Sequence, residues 1–466
     1  MLFSSIPFLY YFLPCVLLLY AIAPRKLKNS VLLFSSLFFY GWGESKYLIL
    51  MLISITQGYI FGRLVEKYRG KGLAKLFLTL SVVFSFAMLG YCKYADFFIS
   101  SFNAVTGLSI PLLKIALPIG ISFYTFQIVS YVIDVYRGDV AAQRNYINLA
   151  AYISMFPQLI AGPIVRYADI AAQLETRTHS TAKTALGVRR FVIGLSKKIL
   201  LANVLGELVD VFKNTNDQSV LFYWLYAVAY TLHIYFDFSG YSDMAIGLGH
   251  IFGFDFLENF NYPFISRSIT EFWRRWHMSL GSWFRDYLYI PLGGNRVSAG
   301  RWHFNIAIVW AATGLWHGAA WNFVAWGVYF AVLLVLEKLF LKKWLERSPA
   351  RGHIYVMLLV IISFVLFDAA TLRGAGETIG AMFGAGGLPA ASFEALYNLR
   401  SYGVVLILGI IGSTPLPKLA VERIRKTSGG SALINAVEPI VLIALLAVST
   451  AFLIDGSFNP FLYFRF

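Results

Sequence analysis

Apolar runs of about 17 to 25 residues recur along the whole chain between short polar connections, each long enough to cross a ~30 Å hydrocarbon core as a helix. No strict alternation of apolar and polar positions accompanies them, which sets aside a closed barrel and leaves helices as the way to span. The pattern predicts an all-α polytopic membrane protein with about 11 to 13 transmembrane helices, plus re-entrant and interfacial helices. Residues 6–23 form the first run. Arg25-Lys26-Leu27-Lys28 follows it, no basic region precedes it and it carries no Ala-x-Ala site, so it reads as an uncleaved span.

Several runs depart from plain hydrophobicity. Residues 117–127 open a span with a proline, small residues, hydroxyls and Gln127, a composition suited to close helix approach and hydrogen bonding between helices. Residues 156–163 bracket a short apolar run with Pro157 and Pro163 and read as a broken or re-entrant helix that must be buried in protein or line a cavity. Lys197 and Lys198 fall within an apolar run, where snorkelling to the interface is the expected arrangement. The run 221–252 carries His233, Asp237, Asp243 and His250; two carboxylates in one span exceed what packing usually tolerates and suggest support of a site or pathway. In 266–303, Phe272, Trp273, Trp276, Leu280, Trp283 and Phe284 recur at helical spacing, the pattern of an amphipathic helix in the interface. Residues 304–336 contain no Lys, Arg, Asp or Glu and are too long for one ordinary span. A break around 318–322 would make them a hairpin, with His317 deep in the bilayer and Gly314, Gly318, Ala319 and Ala320 leaving room beside it. The remainder supplies about three further spans and an aromatic terminus, 459–466, suited to an interface. With no internal repeat, low-complexity tract or soluble domain, residues 1–466 read as a single membrane domain: amino-terminal spans to 112, a motif-bearing core over 113–336, and carboxy-terminal spans from 337.

Composition agrees. The chain is 58% hydrophobic and 14% charged, against about 25% charged residues in soluble domains. A net charge of +15 raises nucleic acid as a partner, but the basic residues occupy short loops and act as orientation signals. With the amino terminus outside, basic patches at 25–28, 63–75, 137–144, 266–303, 338–351 and 418–426 all fall in the cytoplasm. Cys15 and Cys92 have no metal-ligand spacing.

The chemistry concentrates in 271–327. A histidine at the depth of His317 is a functional-site hypothesis by default. A neutral imidazole there suits a general base acting on a hydroxyl that attacks an acyl group, and Arg274, Arg275 and Arg285 offer a cytoplasmic landing place for an anionic donor. The Pro291-Leu292-Gly293-Gly294-Asn295-Arg296 turn could bring backbone amides to a phosphate. There is no Walker loop, Cys/His metal cluster or Gly-x-Ser-x-Gly elbow. A different class also fits these residues: a transporter in which His317 and the carboxylates relay protons, a reading that expects inverted repeats the sequence does not display.

Phe272-Trp273-Arg274-Arg275-Trp276-His277, Tyr287-Leu288-Tyr289-Ile290-Pro291-Leu292-Gly293-Gly294-Asn295-Arg296 and Leu315-Trp316-His317-Gly318-Ala319 resemble the signature of the membrane-bound O-acyltransferase family. The runs at 291–296, 235–243 and 459–466 are similar to its alginate O-acetyltransferase branch. The resemblance implies that His317 is the essential histidine and His277 a second, more variable site position. It implies many helices around a central tunnel, with donor entering from the cytoplasm and acceptor from outside. It implies acetyl-CoA as donor substrate with no permanently bound cofactor, an SGNH-type extracytoplasmic partner within exopolysaccharide machinery, and residence in the bacterial inner membrane. On that basis His317 activates the acceptor, and His277 with Arg274 or Arg275 positions the donor. Trp276, Trp316, Asn295 and Arg296 complete the substrate-binding candidates, while Asp237, Asp243 and Gln127 support the site. A D-alanyl transferase fed by a carrier protein is the neighbouring alternative within the family.

Overall fold

A computed structural model describes residues 1–160 and 162–455, and every regular element among the described residues is a helix. Ala161, within the proline-bracketed run, and the aromatic terminus at 459–466 lie outside the described residues. Among the described residues, six helical segments combine the length and apolarity needed to cross a membrane: Arg25–Lys67, Gly72–Thr106, Trp321–Glu346, Pro349–Asp368, Phe393–Gly412 and Gly430–Ile454. The chain is a multi-pass membrane protein. Two compact units divide it, Met1–Phe191 with Met244–Leu257, and Val192–Asp243 with Glu258–Phe466.

In the first unit the helix Ile121–Arg137 is buried along nearly its whole length. Small residues explain how its neighbour Leu48–Lys67 comes so close: a methyl group at Gly58 would meet Ile128, and one at Gly62 the Tyr131 ring. Polar side chains join the helices as well, with Gln57 donating to Ser85 at 2.9 Å and accepting from Ser81 at 3.0 Å. Gln127 sits in this unit, 2% exposed. The run from 156 is broken as expected: Tyr146–Ser154 stops at Met155, and the short helix Phe156–Leu159 continues from it, fully buried. Its first amide donates to the Ser36 hydroxyl at 3.0 Å and Gln158 donates to the Tyr152 carbonyl at 2.5 Å, so backbone and side chains exchange the bonds that a broken helix would otherwise lack.

The second unit is built on the tryptophan hairpin, Ala299–His317 and Trp321–Leu336, and on the long helix Val220–Ile251, which runs as one element of 32 residues and contributes its residues up to Asp243 to this unit. Lys197 and Lys198 correct an expectation. They do not snorkel: they begin a π-helical turn, Lys197–Asn203, and reach the long helix. Lys197 binds Asp243 and Lys198 binds Asp237, each at 2.7 Å, and the Lys198–Asp237 pair is 1% exposed on both sides. His233, one turn before Asp237, meets the Ala202 carbonyl at 2.5 Å. The π turn widens the helix where two charges and an imidazole must be met at once.

Candidate active site

His317 is the last residue of its helix. Gly318 and Ala320 are extended (φ −168°, ψ 156° and φ −153°, ψ 155°), and the second arm starts at Trp321, so the charge-free stretch is indeed a hairpin broken within 318–322. The arms approach backbone to backbone. A methyl group at Gly314 would overlap the Phe323 carbonyl, and one at Gly327 the Trp310 carbonyl. Gly314 therefore does not leave open space, and neither does Gly318. The Phe323 ring occupies the space a side chain at Gly318 would take. His317 is 6% exposed and lies among rings, with centroids at 5.1 Å (Trp316), 5.0 Å (Trp326) and 5.4 Å (Phe367).

The Trp-rich segment is likewise not one interfacial helix. It forms two short ones, Ile269–Arg275 and Met278–Phe284, with Phe272, Trp276, Leu280, Trp283 and Phe284 buried. Trp273 packs against Trp310 at 4.7 Å and Phe330 at 4.9 Å, which ties the segment to the hairpin. Burial in protein offers these rings more contacts than a headgroup layer does, and that outweighs the interfacial preference. The first helix is capped twice at its amino end. Ser268 accepts from the Glu271 amide at 3.0 Å. The buried Glu337 carboxylate, reaching from beyond the hairpin's second arm, accepts from the amides of Ile269 and Thr270 and from the Thr270 hydroxyl.

Between the two helices stands His277, in the left-handed region at φ 45°, ψ 51°. Few residues other than glycine take up this conformation, and histidine is among those enriched there. Asn259 holds the break. Its backbone carbonyl accepts from the Met278 amide at 3.0 Å, and its side-chain oxygen meets the Ser279 amide at 3.4 Å, the Ser279 hydroxyl at 2.9 Å and His277 Nδ1 at 3.1 Å. Its Nδ2 donates to Ser242 on the long helix at 3.1 Å. The His277 ring stands edge-on to Phe238 at 4.7 Å and Trp316 at 5.7 Å, and its centroid is 6.4 Å from that of His317. Burial, and then the neighbouring His317, push the His277 imidazole well below its ordinary range, so it is neutral.

The fold thus brings His277, Trp316 and His317 together. Trp276 is adjacent in sequence but packs into the core against Phe272, Phe260 and Phe364. Arg275 is engaged by Glu271 at 3.0 Å and the Asn261 carbonyl at 3.1 Å, which makes it a brace for the break. Arg274, Asn295 and Arg296 are exposed. Asn305 ties the loop before the hairpin to its first arm by donating to the carbonyls of Leu292 and Gly294. Asp237 and Asp243 are engaged by the two lysines, and Gln127 lies in the first unit. Sequence reasoning missed Asn259, Glu337 and Phe367. An asparagine in a loop, a glutamate after an apolar run and a phenylalanine at a helix end carry no pattern of their own.

The family model described as MBOAT, membrane-bound O-acyltransferase family, matches residues 140–370. A protein of Azotobacter vinelandii named "Probable alginate O-acetylase" is 40% identical over the full length of both chains. A peptidoglycan O-acetyltransferase of Helicobacter pylori is 31% identical across 100% of this chain and 98% of its own. A teichoic acid D-alanyltransferase of Bacillus subtilis is 30% identical over 55% of this chain and 68% of its own.

Proposed function

The chain belongs to the membrane-bound O-acyltransferase family and is a membrane acyltransferase, and from that premise we propose that it moves an acetyl group from cytoplasmic acetyl-CoA across the inner membrane toward an exported polysaccharide such as alginate, with an SGNH-type partner completing the transfer. One observation carries the reading: His317 and His277, supplied by separate elements, lie buried among aromatic rings with their own ring centroids 6.4 Å apart.

In this reading His317 takes the proton of the acceptor hydroxyl as its oxygen attacks the thioester carbonyl. The C–O bond forms, the C–S bond breaks, and the same imidazole returns the proton to the departing thiolate. In the same reading the Trp316, Trp326 and Phe367 rings packed around His317 serve to keep water from competing for the acetyl group. Arg274 and Arg296, exposed on either side of the buried His277 segment in the chain, are the candidates for meeting the anionic part of the donor. Separating donor and acceptor across the membrane allows an exported polymer to be acetylated while coenzyme A stays inside.

A carrier-fed D-alanyl transfer is favoured by one observation, the teichoic acid D-alanyltransferase relative; that likeness spans 55% of this chain, whereas the two O-acetylating relatives span all of it. Purified protein in nanodiscs, given labelled acetyl-CoA and an SGNH-type partner, separates the two. Wild type is expected to release coenzyme A, with His317→Ala at least about 1,000-fold slower while its unfolding midpoint is retained. Turnover with a D-alanyl carrier protein and none with acetyl-CoA would replace the acetyl reading.

A further inference from the structure

The bonds around Asn259 determine more than the shape of the loop. A backbone amide can only donate, so the Ser279 amide identifies the side-chain atom it meets as the oxygen of Asn259. The other end of the amide group, Nδ2, correspondingly donates to the Ser242 hydroxyl. His277 Nδ1 approaches that same oxygen at 3.1 Å. An oxygen that only accepts requires a proton on the nitrogen facing it, so Nδ1 carries the hydrogen and Nε2 of the neutral ring carries the lone pair.

We propose that Asn259 is a positioning residue that locks His277 in its Nδ1–H tautomer, so that His277 meets the substrate only as a hydrogen-bond acceptor. The proposal rests on His277 being part of the acyl-transfer site. It changes what that histidine can do there. An acceptor-only Nε2 cannot donate to the thioester carbonyl; it holds an N–H or O–H group of donor or acceptor in place for attack. The left-handed backbone of His277 agrees with a constraint imposed from outside, because a strained conformation persists only where its surroundings over-determine it. Here those surroundings are the four contacts that Asn259 makes with residues 277–279. The groups around the ring include Phe238 of the long helix, Trp316 and the titratable His317 of the hairpin, and Asn259 with Ser279.

Two variants and two readouts test this on the full chain in nanodiscs. The first readout is solid-state NMR of protein labelled with ¹⁵N-histidine, in which the His277 signal among 7 histidines is identified by its loss in His277→Gln. Wild type is expected to show a neutral Nδ1–H ring. Asn259→Ala should release the ring to a tautomer mixture, and Asn259→Asp, which keeps the acceptor oxygens and adds a charge, should convert it toward imidazolium. An Nε2–H ring in wild type, or an unchanged ring in Asn259→Ala, overturns the proposal whether or not the protein turns over acetyl-CoA.

The second readout is turnover against pH. Asn259→Ala is expected to lower kcat about 100-fold with donor KM within about threefold. Asn259→Asp should move the acid limb of kcat upward by about one to three pH units, since a carboxylate beside an imidazole favours its charged form. A loss of turnover that merely tracks the folded fraction, with the pH profile unmoved, would reduce Asn259 to a structural residue and leave the acyltransferase reading standing.

Discussion

At the scale of single residues the site is a contrast between two histidines. His317 ends a helix among tryptophan and phenylalanine rings, and its position was legible because a lone imidazole in a charge-free stretch has no cheap explanation. The left-handed backbone and the tautomer of His277 were not legible, since they depend on Asn259, 18 positions earlier in the chain. The depressed His277 ionisation has a measurable consequence. A histidine that stays neutral when folded, but takes up a proton near pH ~6.5 when unfolded, contributes stability above that pH and loses it as pH falls below. The unfolding midpoint of wild-type protein should therefore fall as pH is lowered from about 7 to 5, and in His277→Gln the fall should be shallower. Parallel curves for the two proteins would mean that His277 is charged in the folded state.

At the scale of elements, the hairpin shows how sequence period and packing divide the work. Its length and the break at Gly318 follow from a stretch of 304–336 that is too long for one span and interrupted by small residues. What those small residues do was decided by the partner arm: Gly314 and Gly327 are filled by facing carbonyls and Gly318 by Phe323, so they serve contact rather than access. Gly314→Leu should force the arms apart and displace His317 from Trp326 and Phe367. Turnover should drop at least about 100-fold, whereas the same change at the exposed and uncrowded Gly300 should leave it within about twofold. The Trp-rich segment teaches the reverse lesson. Its helical spacing was real, but spacing alone does not distinguish a helix facing lipid from two short helices buried against Trp310 and Phe330. The lysines at 197 and 198 were misread for the same reason, because their carboxylate partners lie 46 and 39 positions away on another helix.

At the scale of the whole molecule, a chain with 39 basic and 24 acidic residues distributes its positive charge in short connections between apolar runs. Under the proposed function, that asymmetry puts the arginine-bearing segment 266–303 on the cytoplasmic side, where the donor is proposed to bind. In vesicles of defined orientation, labelled acetyl-CoA should be consumed only when supplied to the face that carries this segment, as mapped by proteolysis at residues 295–301. Consumption from the opposite face would overturn the assignment of this segment to the donor side.

The sequence by itself determined that the protein spans the membrane by helices and belongs to an acyltransferase family, and it singled out 271–327 with His317 and His277 as the candidate site, because apolar length, charge exclusion and contiguous motifs are properties of a chain read in order. Only the tertiary structure decided that Lys198 is buried with Asp237, that Glu337 caps the arginine helix, and that Asn259 meets His277 Nδ1. Each of these is a polar group whose removal from water must be matched by a particular partner, and that partner is chosen by the fold, not by proximity along the chain.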